Sequence, residues 1–157
     1  MSEEQILLTP QGYQELEAEL EDLKVVGRKE LSERIKIAIS YGDLKENSEY
    51  HSAKNDQAFM ESRIKQIENI LKHARIQESR DASTVQVGAT VVLNDIEFAE
   101  KLEYRIVGAA EADVSLNRIS YESPLGKALM GKSVGDRIEV SAPVGTVEYE
   151  LLEIKTR

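Results

Sequence analysis

The sequence predicts an α+β chain: an N-terminal antiparallel α-helical coiled-coil hairpin followed by a compact mixed β-sheet domain with one short helix. Three observations carry this. Apolar residues recur every three or four positions up to about residue 77, they alternate in short runs from about residue 84, and Gly42 stands where the helical part must turn back. The 157 residues suit one ordinary domain or two small ones, and 41% hydrophobic residues is enough to bury a core. The expected division is 1–77 for the hairpin, 78–83 for a linker and 84–157 for the sheet.

The first helix has a marked start: Thr9 can cap it, and Pro10 suits the first helical position, where a missing N–H costs nothing. Its seam is Tyr13, Leu16, Leu20, Leu23, Gly27, Leu31, Ile35 and Ala38, in steps of 3, 4, 3, 4, 4, 4 and 3, a heptad with one stutter. From Tyr13 to Tyr41 the rise of 1.5 Å per residue makes a rod of roughly 43 Å. Gly42 can end it in a left-handed conformation. The returning helix carries Tyr50, Ala53, Gln57, Met60, Ile64, Ile67, Leu71 and Ala74 in strictly alternating steps of 3 and 4. Each helix has one narrow apolar stripe, so the two stripes bury each other. The stretch GDLKENSEY, residues 42–50, is the tip.

The sheet domain reads from "TVQVGATVVL", "EKLEYRIVG", "NRISYES", "DRIEVSA" and "GTVEYELLEI", punctuated by Gly, Asn, Asp and Pro. Between them "PLGKALMGK" is a short helix, opened by Ser123 and Pro124 and closed by Gly131.

Composition narrows the function. There are no cysteines, which excludes disulfides and thiolate metal sites and fits a reducing cytoplasm. No apolar run approaches the roughly 20 residues needed to cross a bilayer, and the acidic start "MSEEQ" is unlike a signal peptide, so no membrane contact and a cytoplasmic location are expected. A net charge of −9 argues against nucleic-acid binding over the whole surface, because phosphates reward clustered Lys and Arg.

The tip crowds Asp43, Glu46 and Glu49 around Gly42, and its spacing supports two readings. In one, Asp43 and Glu46 form a capping box that starts the second helix. In the other, carboxylates at i and i+3, roughly 5–6 Å apart at Cβ on a helical turn, share one hard cation. Magnesium is held by one or two carboxylates plus waters and outside ligands, whereas calcium wants more oxygens. The tip therefore resembles half a magnesium site, and the positive end of the second helix opposes a cation there, so a partner must complete it. Asn47, Glu49 and Tyr50 are expected to support the turn. His51 and His73 are too far apart for one zinc pair and read as structural or surface residues, with His51 close enough to the tip to affect its turn.

Residues 24–36 carry five bases against two acids, and with the facing segment 55–67 the middle of the rod comes to +3. A solvated helix face explains this, or a modest basic patch.

The segments "LTPQGYQELEAEL", "GDLKENSEYHSAKNDQ", "RIKQIE", "VQVGATVVL" and "SPLGKALMGKSVGD" together resemble the Gre family of bacterial transcript-cleavage factors over essentially the full length. The resemblance implies an FKBP-like C-terminal domain that docks at the rim of the RNA polymerase secondary channel, with Ser123, Pro124 and Leu125 in the docking segment. It implies a coiled coil that enters that channel and stimulates the polymerase's own hydrolysis of backtracked RNA. Asp43 and Glu46 match the family's two tip acids, expected to retain a Mg2+ ion jointly with the polymerase, and Glu46 fits either a metal ligand or an acceptor of the water's proton. Lys54, Arg34 and Lys36 are placed near the RNA 3′ end of the backtracked complex, although Ile39 stands where an Arg is expected. The free protein is expected to be a monomer and no enzyme by itself. Two other readings share the architecture: an inhibitory regulator that binds the secondary channel, and a coiled-coil binding or chaperone module whose tip acids only cap a helix.

Overall fold

The computed structural model describes residues 5–156; residues 1–4 of the acidic start, and Arg157, lie outside them. Contacts divide the chain into two compact units, Tyr13–His73 and the chain on either side of it.

In the helical unit, α1 (Pro10–Asp22) passes through a π-helical segment, Leu23–Gly27, into α2 (Arg28–Ser40), and α3 (Ser48–Lys72) returns. Every seam position of both arms is buried or half-buried, with Leu16, Ala38, Ala53, Met60, Ile64 and Ile67 buried. The stutter read from three successive steps of 4 has a physical form. A wider π turn takes up the extra residue so that the stripe does not drift off the partner helix. Gly27 sits in that turn, where a Cβ would lie 2.8 Å from Met60 Sδ. The first arm is thus three segments and not one continuous α-helix.

The arms are also stitched by ion pairs. Arg28 grips Glu61 through two 2.9 Å bonds, and Arg63 grips Glu19 at 2.8 and 2.9 Å. Arg34 holds Asp56 at 2.9 Å and Lys24 lies 3.3 Å from Glu68. Bonding from Arg28 pulls the Glu61 carboxyl below its ordinary value, with burial opposing and the opposite charge assisting. Asp56 and Glu61 are already counted in the net +3 of the mid-rod, and Glu19 and Glu68, outside the counted segments, offset two of those three charges.

The second unit holds two sheets. A parallel pair joins β1 (Ile6–Leu8) to β2 (Ala74–Ile76), so Ala74, expected in the helical seam, belongs to a strand instead. This pair brings the start and the end of the hairpin into one unit. For that reason the contact boundaries fall at 12/13 and 73/74, whereas the sequence division was drawn at 77 and 84. Thr9 caps α1 by accepting the Gly12 N–H at 3.1 Å, and Glu111 accepts from both the Thr9 N–H and its hydroxyl.

The larger sheet has the order β5-β4-β3-β7-β6, from β3 (Thr90–Asp95), β4 (Glu100–Val107), β5 (Arg118–Ser120), β6 (Arg137–Ala142) and β7 (Gly145–Lys155). All pairs are antiparallel except β4 with β5. Alternation along β3 turns Val91 and Leu93 inward to join Ile106, Ile138, Leu151 and Leu129 of α4 (Pro124–Leu129) in the core. Residues 84–89, read as strand, are not: Val85, Val87 and Ala89 are buried, but Gly88 at φ 97 breaks the extended run, and Val85 bonds to Gly131 and Lys132.

Candidate functional site

The hairpin turns on two consecutive left-handed residues, Gly42 at φ 82 and Asp43 at φ 33. Glycine does this freely, and Asp is among the few other residues that tolerate it, because its short polar side chain bonds locally. Before the turn, the Tyr41 and Gly42 N–H groups reach back to the Ala38 and Ile39 carbonyls at 3.2 and 3.1 Å, using oxygens that a helix end leaves without partners. Residues 44–46 then make a separate turn, closed by the Glu46 N–H on the Asp43 carbonyl at 3.2 Å.

That extra turn displaces the start of α3. Its cap is Asn47, whose Oδ1 accepts the Tyr50 N–H at 3.1 Å. The capping box, one of the two readings of Asp43 and Glu46, does not form, because both precede the Asn47 cap and lie in the turn. Asn47 has a second task. Its Nδ2 donates to the Ala38 carbonyl at 2.6 Å and to the Gly42 carbonyl at 3.2 Å, so one side chain closes the end of α2 and opens α3. His51 adds a strut, its Nε2–H donating to the Lys45 carbonyl at 3.0 Å, with the Tyr50 ring edge-on to the imidazole at 5.6 Å. The sequence placed His51 close enough to the tip to affect its turn, and this strut is how it does so. Its place in the first turn of α3, reaching over the loop, was the available signal for this role.

With the turn held by Asn47 and His51, the tip acids are free of capping duty. Asp43 and Glu46 are exposed and line, with Tyr41, Gly42, Asn47 and Ser48, an open depression of about 310 Å3. Glu49, in the first turn of α3, lines a second hollow of about 230 Å3 with Arg34, Ile37, Ala38 and Tyr41. Among the described residues no group of three or more His, Asp or Glu side chains is placed to hold a metal ion. Two carboxylates on an exposed turn cannot fill an octahedral shell, so an ion held there would need its other ligands from outside the chain.

The basic candidates are dispersed. Arg34 is engaged with Asp56, Lys54 donates to Gln57 Oε1 at 3.1 Å, and Lys36 is exposed on α2. In the other unit Ser123 caps α4, accepting the Gly126 N–H at 3.1 Å and donating to the Ser120 carbonyl at 2.6 Å. Pro124 is exposed at the first helical position, while Leu125 is half-buried against the core. A Cβ on Gly126 would lie 2.0 Å from the Ser120 carbonyl oxygen, so glycine there lets α4 seat against the loop after β5. Among the described residues no helix is long and apolar enough to cross a membrane.

Residues 6–76 match the family model "Transcription elongation factor, N-terminal" and residues 80–156 match "Transcription elongation factor, GreA/GreB, C-term". These matches define the chain's class, a transcription elongation factor. It is 52% identical over 157 residues to transcription elongation factor GreA of Clostridium perfringens (strain 13 / Type A), with 99% of each chain covered. To the GreA of Acetivibrio thermocellus it is 51% identical over 153 residues, with 96% of each covered. A crystal structure of GreA factor homolog 1 from Thermus thermophilus is 33% identical, covers 96% of this chain and 99% of that one, and superposes with a TM-score of 0.44. The chain belongs to the GreA/GreB family of transcription elongation factors.

Proposed function

We propose that this chain rescues arrested bacterial RNA polymerase by entering the secondary channel and stimulating the polymerase's own hydrolysis of backtracked RNA. The observation that carries the reading is the built tip. Asn47 makes the cap that one reading gave to Asp43 and Glu46, and both acids stand exposed at the end of a paired helical arm. A turn needing only a cap would not keep Asp43 at φ 33, a conformation costing about 1 kcal/mol or more for a non-glycine residue.

Asp43 and Glu46 would hold Mg2+ jointly with polymerase ligands. Such an ion, when bound, activates a water and offsets charge on the phosphate being cleaved. The chain's part is delivery and positioning: the carboxylates supply two oxygens, Asn47 and His51 fix the turn that bears them, and Glu46 serves as ligand or as acceptor of the water's proton. Lys54 and Lys36 meet the RNA 3′ end, and the Ser123–Leu125 segment docks on the channel rim. Pro124 is the exposed apolar group of that segment, and Ser123 and Leu125 hold its shape. The protein acts in the cytoplasm and is an accessory factor, not a free-standing nuclease.

The test is addition of the protein to a backtracked polymerase complex, with short 3′ RNA fragments as readout. Fragments should appear faster than with polymerase alone, and Asp43→Asn should abolish the gain while binding persists. Slowed transcription without fragments would support the inhibitory reading and refute this one.

A further inference from the structure

The hollow lined by Arg34, Ile37, Ala38, Tyr41 and Glu49 has no part in holding the tip acids, yet it adjoins them: Tyr41 lines both this hollow and the acidic depression of Asp43 and Glu46. Its chemistry is specific. Ala38, 2% exposed, makes a closed floor, while Ile37 and Tyr41 present large faces to solvent, 55% and 71% exposed. Arg34 is steadied by the 2.9 Å bond from its Nη1 to Asp56, and Glu49 brings a carboxylate. A phosphate is a poor occupant, because the one guanidinium already shares its charge with Asp56 and Glu49 would repel the newcomer. A flat ring bearing amino groups is a good one. Its faces can stack on Tyr41 and Ile37, the guanidinium favours a π-face, and a carboxylate accepts from an exocyclic amine.

We propose that this hollow receives an unpaired nucleobase of the backtracked RNA, beside the tip that bears Asp43 and Glu46. The inference rests on the transcript-cleavage reading and adds to it: the factor grips a base of the RNA, and Tyr41 is the stacking residue.

The experiment compares wild type, Tyr41→Phe and Tyr41→Ala on backtracked complexes whose displaced RNA carries either normal or abasic nucleotides. On normal RNA, Tyr41→Ala should raise the factor concentration for half-maximal cleavage roughly fivefold or more, the lower range for stacking one base on an aromatic ring, and Tyr41→Phe should behave as wild type. On abasic RNA, wild type and Tyr41→Ala should coincide. If Tyr41→Ala matches wild type on normal RNA, the proposal is wrong. If it is impaired equally on both RNAs, Tyr41 touches the polymerase or the turn and not a base, which also overturns it. Absence of any stimulated cleavage by wild type would instead remove the underlying reading, so the two failures are distinct. Far-UV circular dichroism of each variant checks that the hairpin remains helical.

Discussion

Asn47→Ala tests the claim that one side chain joins the two arms at the tip. The substitution removes the acceptor for the Tyr50 N–H, a cap typically worth about 1 kcal/mol. It also removes the donor that reaches the Ala38 and Gly42 carbonyls at 2.6 and 3.2 Å, each bond being worth about 0.5–1.5 kcal/mol. The bond to Gly42 is exposed, and water replaces it at little cost, so the loss should come to about 2 kcal/mol. Asn47→Asp separates the two tasks. A carboxylate still caps α3 but cannot donate, and it puts negative charge against the carbonyls ending α2, so it should cost about 1 kcal/mol or more. Urea denaturation followed by far-UV circular dichroism reads both losses. A fall of less than about 0.5 kcal/mol for Asn47→Ala, or an Asn47→Asp variant as stable as wild type, would refute the reasoning, since surface substitutions ordinarily stay within that margin.

Three further outcomes are expected. Asp43→Gly relieves the positive φ, so denaturation should show unchanged stability or a gain of up to about 1 kcal/mol, while RNA cleavage falls to the polymerase's intrinsic rate. Gly126→Ala drives a methyl into the Ser120 carbonyl and should destabilise the sheet unit by about 2 kcal/mol or more in the same urea assay, with weakened polymerase binding. The Glu61 carboxyl is held below its ordinary value of 4.5 by Arg28. Its contribution is therefore present above the unfolded value and disappears as pH falls through the lower folded one. NMR titration of Glu61 should show that depressed midpoint, and Arg28→Gln should return it toward normal.

The hairpin was legible because its stripe is narrow: with charges filling most other positions, few residues could face the partner, and all the expected ones but Ala74 are buried or half-buried along the helical seam. The π segment was present in the sequence only as successive steps of 4 around Gly27, which a spacing rule records as a stutter without saying how the backbone absorbs it. The capping box failed for a local reason. Asp43 and Glu46 have its form, but left-handed geometry at both Gly42 and Asp43 inserts a turn before the helix, and Asn47, the stronger cap by position, takes over. Strands of three residues such as β1 and β2 carry no period to detect, so the parallel pair at the hairpin's base was invisible. The exposed place of Asp43 and Glu46 followed from the sequence, whereas the engagement of Arg34 with Asp56 depended on a cross-arm register that spacing alone does not fix.

Helices ordinarily fray from their ends, where N–H and C=O groups lack partners. In this hairpin the usual weak points are secured: Thr9 caps the start of α1, Asn47 serves both α2 and α3, and α3 runs on within two residues into β2, paired with β1. Within the arms themselves the least regular helical backbone is the π segment Leu23–Gly27, in the middle of the first arm. Amide exchange should consequently run opposite to the common pattern, quickest at that segment and slower toward both extremities. The arm would give way by bending at its waist while keeping the turn at its tip intact.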